Sequence, residues 1–157
     1  MGIKKAMGSA AEIIAKLQLE PHPEGGWFRE TWRAAAGDGE RASATAIHFL
    51  LEAHQNSHWH VVDAAEIWLW HAGDPLDLRI AASDDGPVEH VTLGPEVLAG
   101  QSVQHVIPAG EWQAAHPLPG GAHGYTLVSC VVSPGFDFAG FTLAKPGWNP
   151  GCGEDAT

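Results

Sequence analysis

A chain of 157 residues has the length of one domain built on a single hydrophobic core. Hydrophobic residues at 45% exclude a disordered chain, and a formal net charge of −11 with no basic run excludes nucleic acid and anionic membrane surfaces as partners. Charged residues at only 17%, beside 19 glycines and 11 prolines, favour a turn-rich β protein over a helical bundle.

Lys4 and Lys5 resemble the start of a signal peptide, but Glu12 and Lys16 interrupt the apolar stretch behind them. No apolar run reaches the length of a membrane span, so a cytoplasmic protein is expected. Ser9 and Glu12 form a capping box that predicts a short helix over residues 10–18, with Ile13, Ile14 and Leu17 on one face. Pro21 and Pro23 end it, and Glu24-Gly25-Gly26 reads as a turn. Trp27–Arg33 then reads as a strand with Phe28, Glu30 and Trp32 on one face and Trp27, Arg29 and Thr31 on the other. A loop over 34–41 leads to a second strand over 42–51, and a polar turn follows.

Residues 57–73, SHWHVVDAAEIWLWHAG, are the most informative stretch. In a strand, His58 and His60 share one face. If residues 61–65 form a turn, His60 pairs across a hairpin with Glu66 and His58 falls opposite Trp68. Two imidazoles and a carboxylate at one spot form a set suited to a divalent transition ion. The next strands are expected at 66–71, 76–81, 88–93, 103–107, 112–116, 125–132 and 138–143, with a hairpin loop at SDDGP (83–87). Within VIPAGEWQ (106–113), the Pro108-x-Gly110 turn precedes Gln113, where a second strand would deliver one more ligand. The tail over 145–157 is expected to be loose apart from Trp148. Two cysteines, Cys130 in an apolar run and Cys152 in a Gly-rich tail, make no disulfide framework. His22, His54, His90, His116 and His123, near turns, are expected to be solvated.

Many short strands about eight to twelve residues apart indicate an all-β sandwich or barrel. At the HxH, Glu and Gly spacing, and again at PxG followed by Gln113, the chain resembles the cupin superfamily. It departs from that pattern in two ways. Gln113 stands where a histidine is usual, and the gap before Glu66 is about one residue longer. PHPEGGWFRETWR (21–33), ATAIHFLL (44–51), SHWHVVDAAEIWLWHAGDPL (57–76), VIPAGEWQAA (106–115) and SPGFDFAGFTLA (133–144) resemble more closely its DUF985, or cupin-5, group of RmlC-like proteins. The resemblance implies a double-stranded β-helix, or jelly roll, behind a short N-terminal helix (9–18), in one domain over 1–157 with its core at about 18–144. It also implies a homodimer, for which the N-terminal helix and the strand carrying Trp27 and Trp32 are suited.

Inside such a barrel, His60, Glu66 and Trp68 are expected to face a cavity that Gln113 also reaches. Trp68, Trp70 and Phe141 would supply apolar walls. Arg29 and Glu30 would form an ion pair or sit at the cavity mouth, where Arg29 suits a carboxylate or phosphate. Three functions remain open for a small-molecule ligand. In one, His58, His60, Glu66 and Gln113 bind a divalent ion (Zn, Fe, Mn or Ni) for Lewis-acid or oxygenase chemistry. In another, a metal-free epimerase- or isomerase-like enzyme uses a His60–Glu66 base on a sugar nucleotide. In the third, the same residues form a satisfied network in a non-catalytic binder.

Overall fold

The computed structural model describes residues 8–157; Lys4 and Lys5 lie outside the described residues. Helix α1 (Ala10–Leu17) is capped by the Ser9 hydroxyl, which accepts from the Glu12 N–H, and it closes on Gln18 in a left-handed conformation. Its apolar face, with Ile13, Ile14 and Leu17, packs on Leu19, Leu50 and Tyr125 of the same chain. No described helix is long and apolar enough to cross a membrane.

The strands are β1 (Glu20–Pro21), β2 (Trp27–Arg33), β3 (Thr45–Glu52), β4 (Ser57–Val62), β5 (Ala65–Gly73), β6 (Leu76–Ala81), β7 (Glu89–Leu93), β8 (Gln104–Ile107), β9 (Trp112–Pro117), β10 (Tyr125–Ser133) and β11 (Phe141–Leu143). Residues 138–140, expected as part of the last strand, instead form a 3-10 turn. A six-stranded sheet runs β1-β2-β3-β10-β5-β8, and a five-stranded sheet runs β11-β4-β9-β6-β7. From β3 to β11 the chain changes sheet at every connection except the β6–β7 hairpin, which is the path of a jelly roll.

That path overturns the expected hairpin between His60 and Glu66. β4 and β5 belong to different sheets, so the residues between them turn a corner. His60 pairs with Gln113 and Leu143, whereas Glu66 pairs with Ile107 and Val132. Inward positions on each strand supply the core between the sheets, including Phe49, Leu51, Trp68, Leu76, Leu78, Leu93 and Val128. Gly73 ends β5 at φ +88°, where a β-carbon would strike the Tyr125 backbone. The glycine lets the chain turn closely past β10.

The tail is not loose. Trp148 is 2% exposed and packs with Trp59, Trp112 and Ala156 on the outer face of the five-stranded sheet. Backbone bonds from Lys145 to Ala156 and from Gly151 to Asp84 fold it back on itself and tie it to the barrel. Burial of one large indole among others supplies the apolar area that the Gly- and Pro-rich composition lacks.

Candidate functional site

The site begins in the turn between β1 and β2. His22 donates its N–H to the Gly26 carbonyl at 2.9 Å, and Gly25 donates to the His22 carbonyl at 3.0 Å. Gly25, at φ +110°, lies so close to the Asn56 carbonyl that a β-carbon would not fit. This close approach sets Glu24 beside the start of β4. The Glu24 carbonyl accepts the His58 N–H at 2.9 Å, and the side chain turns into the barrel. There Oε1 accepts the Ser57 hydroxyl at 3.0 Å, and Oε2 lies 3.1 Å from His60 Nε2.

Strand β4 carries a bulge. Ser57 pairs with Ala115 and His60 with Gln113, so β4 takes one more residue than β9 between those pairs. The extra residue breaks the alternation. Ser57 and His60 both face inward, while His58 faces out and bonds the Lys145 carbonyl through Nε2 at 2.9 Å. His58 and His60 therefore do not share a face, contrary to the expectation from a regular strand.

Glu66 enters from the opposite sheet, 6% exposed. Its Oε1 accepts Gln113 Nε2 at 3.0 Å, and Gln113 Oε1 accepts the Trp68 indole N–H at 2.9 Å. An indole can only donate, so the amide oxygen must face Trp68 and the amide nitrogen must face Glu66.

Burial governs the protonation of this cluster. Desolvation pushes Glu24 up to about 8, against the opposing Ser57 hydrogen bond. Glu66 is pushed up to about 7, first by burial; nearby His60 opposes the shift and Glu24 adds to it. Burial lowers His60, and lowers His22 to about 4 with help from the His60 charge. His60 Nδ1 is 2.7 Å from the His58 carbonyl and must donate to it, so in neutral His60 the Nε2 lone pair faces Glu24. Near neutral pH one proton lies between Glu24 and His60, held on the carboxyl side.

A pocket of about 350 Å³ opens beside this cluster. His22, Phe28, Phe136 and Phe138 line it, with Glu30, Arg33 and Asp137 completing the wall. An irregularity in β2 between Glu30 and Trp32 brings Arg33, not Trp32, onto the face of Phe28 and Glu30. Trp32 is left 54% exposed. The Glu30 ion pair forms with Arg33 at 2.7 Å rather than with Arg29, which lies exposed on the other face of β2. Phe141 stands between the pocket and the cluster, 5.4 Å from His60 and 6.3 Å from His22 by ring centroids. Trp68 is a core residue, 1% exposed and edge-on to Phe49, and Trp70 packs on the core and bonds the Asp74 carbonyl.

The donors expected for a divalent ion do not meet. His58 faces outward, both ring nitrogens of His60 are engaged, and the Gln113 oxygen is held by Trp68. Among the described residues, no group of three or more His, Cys, Asp or Glu side chains is arranged to hold a metal ion. Glu24, Ser57 and His22 were not legible as site residues. The one signal was a glutamate held in PHPEGG between a proline and paired glycines, a sequence that forces a tight turn against another segment.

Comparison with known proteins gives a consistent picture. The family model described as Cupin superfamily (DUF985) matches residues 11–144. The uncharacterized protein YML079W of Saccharomyces cerevisiae is 29% identical, over 87% of this chain and 76% of its own. A hypothetical protein from Leishmania major is 36% identical with a TM-score of 0.78, covering 86% of each chain. A protein from Shewanella oneidensis is 36% identical with a TM-score of 0.79, covering 87% of this chain and 85% of its own. Oxalate decarboxylase from Bacillus subtilis shares the fold at 14% identity and a TM-score of 0.57, over 78% of this chain and 29% of its own.

Proposed function

This chain belongs to the DUF985 family of the cupin superfamily, and from that premise we propose that it binds a small molecule in the pocket beside His22, without a metal. The buried Glu24–His60 pair stores one proton behind the ligand for acid–base chemistry. The observation that carries this reading is the engagement of both His60 ring nitrogens, one at 2.7 Å from the His58 carbonyl and one at 3.1 Å from Glu24. The Nε2 lone pair of an imidazole so held is taken up by the carboxyl proton of Glu24, and the ring can exchange that proton with a carboxyl whose pKa burial has raised toward neutrality.

His60 is only 2% exposed, so it does not touch a ligand in the pocket. It acts with Glu24 as a positioning and proton-holding pair, and His22 is the imidazole at the pocket wall. A non-catalytic binder is the second reading, favoured by the closed set of bonds among Trp68, Gln113 and Glu66.

Elemental analysis of untagged protein, with a thermal-shift screen of small organic molecules, tests the proposal. Metal-free protein stabilised by a compound whose effect is lost on Phe138→Ala supports it. A stoichiometric ion released by His60→Ala overturns it. Turnover of a stabilising compound, reduced in Glu24→Gln, separates the enzyme from the simple binder.

A further inference from the structure

His22 is the one imidazole on the pocket wall, and its tautomer follows from geometry. The Glu24 backbone N–H donates to His22 Nδ1 at 3.1 Å. A nitrogen that accepts a hydrogen bond carries no hydrogen, so in the neutral ring the hydrogen is on Nε2. The side chain is 5% exposed, with its ring edge-on to Phe28 at 4.5 Å. Nε2 has no hydrogen-bond partner among the described residues, and it is not one of their sealed-off polar atoms, which are Arg79 Nε and Tyr125 Oη. It therefore opens to the pocket that the ring lines.

The rest of the wall sets the chemistry around that donor. Phe28, Phe136 and Phe138 form an apolar surround, and Phe136 meets Phe138 edge-to-face at 4.9 Å. The one cation, Arg33, is already paired with Glu30 at 2.7 Å and bonded to the Phe136 carbonyl at 3.0 Å. Asp137 adds a second carboxylate, so the charged groups lining the pocket sum to a negative value. At about 350 Å³ the pocket is at the small end for ligand sites. A nucleotide diphosphate would bring its own negative charges to this wall and would meet no free cation.

We propose that the pocket selects an uncharged molecule with a planar apolar body between the phenylalanines and a carbonyl oxygen at its inner end, which accepts the His22 Nε2–H. The assignment rests on the pocket reading above and names its ligand class. A neutral imidazole polarises a carbonyl without adding charge to a desolvated site. The low pKa of His22, about 4, keeps the ring neutral through the physiological range.

The experiment is NMR on the full chain carrying 15N-labelled histidine, titrated with benzamide, toluene, benzoate and UDP-glucose. The free protein should show His22 as the Nε2–H tautomer. Benzamide should shift His22 Nε2 and the signals of Phe28, Phe136 and Phe138. It should bind about tenfold more tightly than toluene, the factor expected for one neutral hydrogen bond, and also more tightly than benzoate. His22→Phe should remove the preference for benzamide over toluene; should that variant not fold, the Nε2 shift in the native protein carries the same information. Preference for benzoate or UDP-glucose, or an Nδ1–H tautomer, overturns the carbonyl assignment but leaves the pocket in place. If no probe perturbs the three phenylalanines, the carbonyl assignment and the pocket reading both fall.

Discussion

His60 Nε2 and Glu24 Oε2 meet at 3.1 Å inside the barrel, with side chains 2% and 8% exposed. Burial leaves both side chains poorly solvated, so the position of one proton between them determines the charge of the cluster. The pH response of the protein follows from this contact.

A carboxyl whose native pKa is above its unfolded value stabilises the fold while protonated. That contribution is complete below about 4.5 and is lost as pH rises through about 7 for Glu66 and about 8 for Glu24. His22 acts at the other end. Its native value of about 4 lies below 6.5, so its contribution is lost as pH falls through that interval. Between pH 6.5 and 8 the two carboxyls dominate the change, and stability should fall by on the order of 1 kcal/mol per pH unit. Glu24→Gln should flatten that fall, because an amide fills the same space and does not titrate. Urea denaturation between pH 6 and 9 measures both slopes, and equal slopes in the two proteins would refute the raised Glu24 pKa.

Gln113 is held by partners that fix its orientation, the Trp68 indole and the Glu66 carboxyl. Gln113→Leu leaves both without a bond in the core, and each orphaned group costs about 1–3 kcal/mol. A loss of about 2–6 kcal/mol is expected. Trp68→Phe in the Gln113→Leu background should cost less than it does alone, and a double-mutant cycle by urea denaturation detects the coupling. Strict additivity would mean that the amide does not link these groups.

The HxH pair should divide sharply on mutation. His58→Ala removes a partly exposed ring bonded to one backbone carbonyl, and stability should change by less than about 1 kcal/mol. His60→Ala leaves the buried Glu24 carboxyl facing an empty space and should cost about 3 kcal/mol or more. Chelator dialysis should leave the melting temperature of the native protein unchanged. A drop on chelation, reversed by one divalent ion, would restore a metal role.

The C-terminal segment should behave as part of the fold. Trp148 is buried against Trp112 at 4.5 Å between ring centroids. Trp148→Ala should destabilise by about 3–5 kcal/mol, and removal of residues 145–157 should shift tryptophan emission to the red as Trp59 and Trp112 meet water. Unchanged emission in the truncated protein would show that the tail does not cover them.

The sequence by itself determined the elements and the family. Capping at Ser9, the period-two runs of β2, β3, β6 and β10, and the Gly and Pro breaks between strands are local signals, carried by neighbours within a few residues. His60, Glu66 and Gln113 were expected inside the barrel from the motif resemblance, and their side chains are buried there, although His60 reaches its place through a bulge and not through the expected hairpin. Tertiary structure alone decided which atoms meet. A bulge in β4 turned His58 out, an irregularity in β2 exchanged Trp32 for Arg33, and the crossing from β4 to β5 replaced a hairpin with a corner between sheets. Glu24 and His22 entered the site through a turn whose neighbour, Asn56, is remote in the chain. The physical reason is that alternation along a strand is dictated within a few residues, whereas a bulge is selected by the pairing partner and the packing across the barrel.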